Sequence, residues 1–188
     1  MRAFVALRLP EETRRSLAAL QRRLADSGAD VKWAAPEQLH VTLKFLGKIP
    51  PPDPAAVETL LRGIATRTAS FPLALGALGA FPSARAPRVI WVGLAEGRER
   101  VIGLARAIES SGGSISGWVT EERAFAAHVT LGRARSPRGR AALAAQLERA
   151  AWIPPAPWQV EQVVLYESVL RPDGPRHTPL AEIALGVT

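Results

Sequence analysis

Apolar and polar residues alternate over residues 2–9, with Phe4 against Val5 and Ala6 against Leu7, and Pro10 closes the run; the chain is expected to begin as a strand. Pro10, Glu11 and Glu12 then supply a proline and an acidic first turn, and Leu17, Leu20 and Leu24 recur at helical spacing until Gly28 ends the pattern. A short strand is expected over 31–34, a turn at Pro36, and a strand over 39–46 that stops at Gly47. The proline-rich segment 49–54 lacks the amide donors of a helix or a central strand and reads as a stiff surface connection. Asp53 as N-cap and Pro54 as first helical residue introduce a second helix carrying Val57, Leu60, Leu61 and Ile64. Strands follow over 71–81 and 88–94, then a third helix over 98–111 whose Ile102, Ala105 and Ile108 share one face ahead of Gly112-Gly113. Residues 125–135 alternate again, Ser136-Pro137 repeats the cap-plus-proline signature, and Leu143 and Leu147 carry a fourth helix toward Pro154-Pro155. Strands over 158–166 and 178–185, with turn chemistry from Arg171 to Pro175 between them, complete the chain.

One tetrapeptide occurs twice in this pattern. His40-Val41-Thr42-Leu43 and His128-Val129-Thr130-Leu131 stand 88 positions apart, and two of the three histidines in the chain open the same four letters. At typical residue frequencies such a match arises by chance roughly once in a thousand sequences, so an internal repeat is the better explanation. Each copy lies on a strand followed by a proline-containing connection and a helix. Some nine strands and four helices, with short connections between several strands, predict an α+β fold of two pseudo-symmetric lobes. Each lobe is expected to be a mainly antiparallel sheet with helices on its outer face, the whole of residues 1–188 forming a single bilobal domain.

Composition narrows the chemistry. With 47% hydrophobic and 22% charged residues the chain is ordinary for a folded domain, and its longest apolar stretch, near residues 73–81, falls well short of a bilayer span. The first residues read as a strand and not a signal peptide, so a cytoplasmic location without membrane association is expected. The absence of cysteine removes disulfides, thiolate nucleophiles and Cys-based metal sites together. The 24 Lys and Arg against 17 Asp and Glu give a net charge of +7, which points to an anionic partner such as nucleic acid or a nucleotide, although an Arg-, Ala- and Pro-rich composition fits a GC-rich genome equally well.

Alternation along a strand puts His40 and Thr42 on one face, about 7 Å apart, and Val41 and Leu43 on the other. The same holds for His128 and Thr130 against Val129 and Leu131. If the apolar residues fill the lobes, two His-x-Thr walls face one cleft. A pair of imidazoles can stand with one ring neutral and one protonated near neutrality, so one takes a proton from water while the other gives one to a leaving oxygen. The two threonine hydroxyls can donate to the oxygens of a phosphate between the rings, and Arg133 offers the same group a bidentate, charge-assisted contact. That set needs no metal or other cofactor. A zinc site of His40, His128 and His177 is conceivable, but no pair has local ligand spacing. His177 itself reads as a surface residue at a turn-to-strand junction, with lining the cleft the lesser alternative, and Phe45, Trp33 and Tyr166 read as core packing with base stacking the lesser alternative.

At these residues the sequence resembles the two-histidine phosphoesterases, and more closely the RNA 2′,3′-cyclic phosphodiesterases, also called 2′-5′ RNA ligases. The blocks RAFVALRLPEE, VKWAAPEQLHVTLKFLG, LGALGAFPSARAPRVIWVGL, RAFAAHVTLGRAR and VEQVVLYESVLRPDGPRHTPL fall in the family's order. The resemblance implies a bilobal fold with both motifs lining a central groove and metal-independent hydrolysis of a 2′,3′-cyclic phosphate, on an RNA end or a small nucleotide, to a 2′-phosphate. It casts His40 as general acid toward O3′, His128 as general base, and Thr42, Thr130 and Arg133 as phosphate ligands. Reverse 2′-5′ ligation is a further possibility it carries, and no obligate protein partner is implied. Ala127 stands where relatives commonly have proline, and His177 where they tend to carry an aromatic residue. The alternative reading is a non-catalytic RNA-binding or tRNA-processing protein that uses a basic cleft for phosphates; it gives no reason for two matched titratable rings.

Overall fold

In the computed structural model, which describes residues 2–48, 54–122, 124–171 and 174–186, the expected strands assemble around the two repeat copies. The elements run β1 (Arg2–Arg8), α1 (Glu11–Ala25), β2 (Val31–Trp33), β3 (His40–Lys48), α2 (Pro54–Ala65), β4 (Phe71–Leu73), β5 (Leu75–Phe81), β6 (Val89–Leu94), α3 (Arg98–Ser111), β7 (His128–Ala134), α4 (Arg140–Arg149), β8 (Trp158–Val160), β9 (Gln162–Arg171) and β10 (Gly174–Ala184). Eight strands form one sheet in the order β10-β9-β1-β3-β7-β6-β5, with β2 paired to β7, and every ladder in it is antiparallel. The fold is α+β, and its two half-sheets meet where β3 pairs β7 at Val41 and Val129.

That junction follows from the repeat. Val41 and Val129 are both fully buried, as is Leu131, and Leu43 is nearly so; all lie on the side of the sheet that the helices cover. On the first half-sheet α2 packs on β9 and β10, and α3 on β3, whereas α1 packs on α4 beside the second half. Burying Leu17, Leu20 and Leu24 of α1 contributes about 2 kcal/mol each, and the one buried amide among them, Gln21, donates to the carbonyls of Ala34 and Leu131 at 2.8 Å. A side chain of α1 thereby fixes β7 one residue beyond Thr130.

Several local expectations change. The run 71–81 breaks at Ala74, because β4 leaves the main sheet to pair with β8, and 158–166 divides between β8 and β9 for the same reason. The strand expected over 125–135 begins only at His128. Helix α4 starts after Gly139, whose φ of 71° supplies the reversal, and not at the Ser136-Pro137 cap. The final strand starts at Gly174, four residues earlier than its alternation suggested. The stiff connection at 49–53 with the Asp53 cap, and Pro172-Asp173 of the last turn, lie outside the described residues.

Candidate active site

Antiparallel pairing centred on Val41 and Val129, carried one residue either way, sets His40 beside Thr130 and Thr42 beside His128. The two motifs are therefore crossed: each imidazole faces the other copy's hydroxyl at roughly 5 Å between Cβ atoms, and the two rings are diagonal neighbours. All four side chains are half-buried on the face opposite the helices. Among the described residues neither threonine hydroxyl has a hydrogen-bond partner, which leaves both able to donate to a ligand.

The same local device holds both rings. His40 Nδ1 lies 2.6 Å from the Gln38 carbonyl and His128 Nδ1 lies 2.6 Å from the Ala126 carbonyl, each two residues back in the chain. A carbonyl only accepts, so Nδ1 carries the hydrogen in both rings and Nε2 of the neutral form keeps its lone pair. Aromatic side chains complete each mount. The His40 ring stacks on Phe4 at 4.7 Å, and Phe4 in turn stacks on Tyr166 at 5.2 Å. His128 meets the edge of Phe81 at 5.4 Å and lies 6.3 Å from Trp91, which folds over Gly79, where a Cβ would come within 2.5 Å of the indole.

A β-bulge then repeats as well. Ala6 and Val5 pair with Thr42 and Lys44, skipping Leu43; Trp91 and Ile90 pair with Thr130 and Gly132, skipping Leu131. Each bulge shifts the alternation by one, so that residues 44 and 132 turn inward and residues 45 and 133 turn to the cleft. Arg133 consequently shares the face of Thr130, three residues on, where an unbroken strand would place it on the opposite side. Its counterpart at the same 88-residue offset is Phe45, which is 64% exposed and lines the cleft, not the core. Lys44 points the other way. It forms an ion pair with Glu109 of α3 at 2.6 Å, bonds the Val119 carbonyl and lies 5.2 Å from the Trp118 ring centre.

The cleft is a cavity of about 620 Å³ that takes in His40, Thr42, Thr130 and Arg133. His128 stands just beyond that lining, beside Phe81 and Trp91. His177, expected at the surface, instead lines the cavity from β10: its ring meets His40 edge-on at 5.6 Å and Phe4 at 4.9 Å. Gln38 explains this placement, since its backbone holds His40 while its side-chain amide bonds the Pro175 carbonyl and draws the β10 end over the cleft. Tyr166 is half-buried against Phe4, and half-buried Trp33 packs over Gly132. No group of three or more His, Cys, Asp and Glu among the described residues is arranged to hold a metal ion. No helix among them is long and apolar enough to cross a membrane.

Burial pushes the His40 ring down to about 4, against the upward pull of its Gln38 hydrogen bond, and the His177 and His128 rings add to the lowering. Burial likewise lowers His128, with Arg133 acting in the same direction against the Ala126 bond, and it lowers His177. All three rings are therefore neutral at pH 7 in the free protein. Because the folded value of His40 is below the unfolded value near 6.5, the unfolded chain binds the proton first. Stability is full above pH 6.5 and falls as the pH drops from about 6.5 to 4, by about 3 kcal/mol from His40. Urea midpoints of the wild type are expected to fall over that interval and those of His40→Phe to fall distinctly less; identical slopes would contradict the buried neutral ring.

One imidazole, two hydroxyls and an arginine line the cleft and a second imidazole stands at its edge, a set of groups suited to a phosphate ligand. A family model described as LigT like Phosphoesterase matches residues 7–91, which include the first motif. The RNA 2′,3′-cyclic phosphodiesterase of Methanothermobacter thermautotrophicus is 31% identical over 180 residues, 96% of each chain. That of Thermus thermophilus is 33% identical over 196 residues, 98% of this chain and 90% of the relative. Among solved structures, the Thermus thermophilus protein TT0787 superposes with a TM-score of 0.80 at 30% identity over 100% of this chain and 99% of that one. E. coli LigT complexed with 3′-AMP does so with 0.75 at 28%, over 98% and 97%. The chain belongs to the LigT-like phosphoesterase family, as the paired motifs implied.

Proposed function

We propose that this chain hydrolyses RNA 2′,3′-cyclic phosphates to 2′-phosphomonoesters without a metal, His40 acting as general acid and His128 as general base. The observation that carries the reading is the crossed pair of rings, each with Nδ1 tied to a backbone carbonyl and Nε2 left for proton transfer. The names of the full-length relatives support the substrate class. In the proposed step His128 Nε2 takes a proton from water as its oxygen attacks phosphorus. The P–O3′ bond breaks, and His40 Nε2–H delivers its proton to O3′. Thr42, Thr130 and Arg133 hold the non-bridging oxygens, where charge accumulates in the transition state. His40 must be protonated to act, and the negative charge of the bound phosphodiester favours that form. A 5′-hydroxyl in place of water would give a 2′-5′ linkage by the same step.

The exchange of roles is favoured by one observation, the low value of His40, which suits a base better than an acid. Opposite regiochemistry, a 3′-phosphate product, would mark it. The proposal is tested by incubating a cyclic-phosphate-ended oligoribonucleotide with the protein in EDTA across pH. Turnover is expected, with a bell-shaped kcat/KM whose optimum lies below pH 6.5, since both rings are lowered in the free protein. Salt-dependent RNA binding with no turnover would favour the non-catalytic alternative.

A further inference from the structure

Each imidazole of the crossed pair meets another aromatic side chain edge-on, and the two neighbours differ in one respect. His128 meets Phe81 at 5.4 Å and an interplanar angle of 83°, and His40 meets His177 at 5.6 Å and 88°. The contacts match in geometry, but only the second brings a nitrogen. Packing does not require one there, since Phe4 already stacks on the His40 ring and Arg176 and Thr178, on either side of His177, are exposed. The mount of this third ring also departs from that of the other two. His40 and His128 each bond Nδ1 to the carbonyl two residues back, whereas the carbonyl two residues before His177, that of Pro175, accepts from the Gln38 amide instead. His177 Nδ1 is left buried with no hydrogen-bond partner, in a ring that lines the cavity. Enclosed N–H groups without an acceptor are rarer than acceptors without a donor, which assigns the hydrogen to Nε2, the nitrogen left to face the cavity.

The side of the cleft on which this donor stands fixes what it meets. The strands run β10, β9, β1, β3, β7 across the sheet, so β10 brings His177 to His40 from the side away from Thr130 and Arg133. A phosphate held between the two motifs would direct its leaving oxygen to that side. Resting on the roles proposed above, we infer that His177 is a third catalytic ring, which donates a hydrogen bond from Nε2 to O3′ as that oxygen leaves, beside the proton that His40 delivers. Ring centres 5.6 Å apart let one oxygen sit at about 2.8 Å from a nitrogen of each. The electron pair of the P–O3′ bond passes to O3′, the proton on it comes from His40, and His177 keeps its own. Charge builds on O3′ only as the bond breaks, so the contact strengthens in the transition state and acts on kcat more than on KM. Nε2 donates in the neutral and in the protonated ring alike, so the contact does not depend on the charge of His177. Phe81, which has no N–H to give, stands beside His128, where the attacking water must lose a proton and needs no donor. The difference between the two edge-on neighbours thus suits His40 to the leaving oxygen and His128 to the water.

The test compares a 2′,3′-cyclic nucleotide with its analogue carrying sulfur at the 3′ position, which leaves as a thiolate and gains little from a hydrogen-bond donor. His177→Phe keeps an aromatic ring against Phe4 and His40 and removes the N–H. Its kcat on the oxygen substrate is expected to fall about ten- to a hundredfold with KM changed only a few-fold, and on the sulfur substrate the loss is expected to shrink to a few-fold. His177→Gln, which keeps an N–H donor but no ring, is expected to turn over the oxygen substrate faster than His177→Phe. An unchanged kcat in His177→Phe, or equal losses on the two substrates, would overturn the inference while leaving the proposed activity standing. No turnover of the oxygen substrate by the wild type would overturn the activity itself.

Discussion

Replacing either histidine by alanine is expected to lower kcat by 10² to 10⁴, about 3 to 5 kcal/mol of transition-state stabilisation, while binding of the 2′-phosphomonoester product changes only a few-fold. The split follows from the geometry. The imidazoles are mounted by groups that stay in place in the variants, Gln38 and Ala126 through their carbonyls, Phe4 and Phe81 through their rings. The proposed phosphate ligands Thr42, Thr130 and Arg133 are separate side chains. Because both rings are proposed to serve one displacement, the double variant is expected to be little worse than the poorer single one. Rapid-quench turnover combined with calorimetric titration of the product checks this. Loss of binding in step with loss of rate would mean that the rings hold the phosphate and do not move protons.

The second large effect is on stability and comes from a residue that never faces the cleft. Lys44 is 6% exposed, paired to Glu109 and stacked under Trp118, two residues after Thr42. Burial alone would raise the Glu109 carboxyl; hydrogen bonds from Lys44 and the Glu121 amide, with the Lys44 charge, hold it below the usual carboxylate range. Lys44→Ala is expected to destabilise the fold by about 3 kcal/mol, since it empties a packed site and strands a partly buried charge. Lys44→Met with Glu109→Leu removes the charges together, and most of that loss is expected to be recovered. Denaturant unfolding of the two variants beside the wild type measures it; equal losses in the single and the double variant would show that packing and not the charge pair fixes α3 to β3.

What the sequence made legible was whatever obeys a short period or repeats. The strand and helix order, the inward Val41, Leu43, Val129 and Leu131, and the pairing of two His-x-Thr faces all follow from alternation and from a duplicated tetrapeptide. Arg133 was picked out by proximity to Thr130, but plain alternation gives it the wrong face; the bulge at Leu131 supplies the correction. The equivalent bulge in the first copy shows in the burial pattern, where positions 41, 43, 44 and 46 step by two, one and two. No such trace marks His177. Its place beside His40 depends on a register between β9 and β10 and on a Gln38 contact 137 residues away in sequence, and long-range pairings of that kind leave no local pattern. Phe45 was assigned to the core for a related reason, since a lone phenylalanine in a strand is usually inside. The split of the expected strands at Ala74 and Glu161 likewise follows from β4 and β8 finding each other across the chain.

The claim on which everything else rests is that the two crossed imidazoles cleave one particular bond of a cyclic phosphate. Phosphorus NMR of the product formed from a 2′,3′-cyclic-phosphate-ended oligoribonucleotide, in EDTA and with both histidines present, tests it in a single spectrum. The proposed roles predict one new resonance, that of a 2′-phosphomonoester, and none from either His40→Ala or His128→Ala over the same time; a 3′-phosphomonoester, or the same signal from both variants, would contradict them.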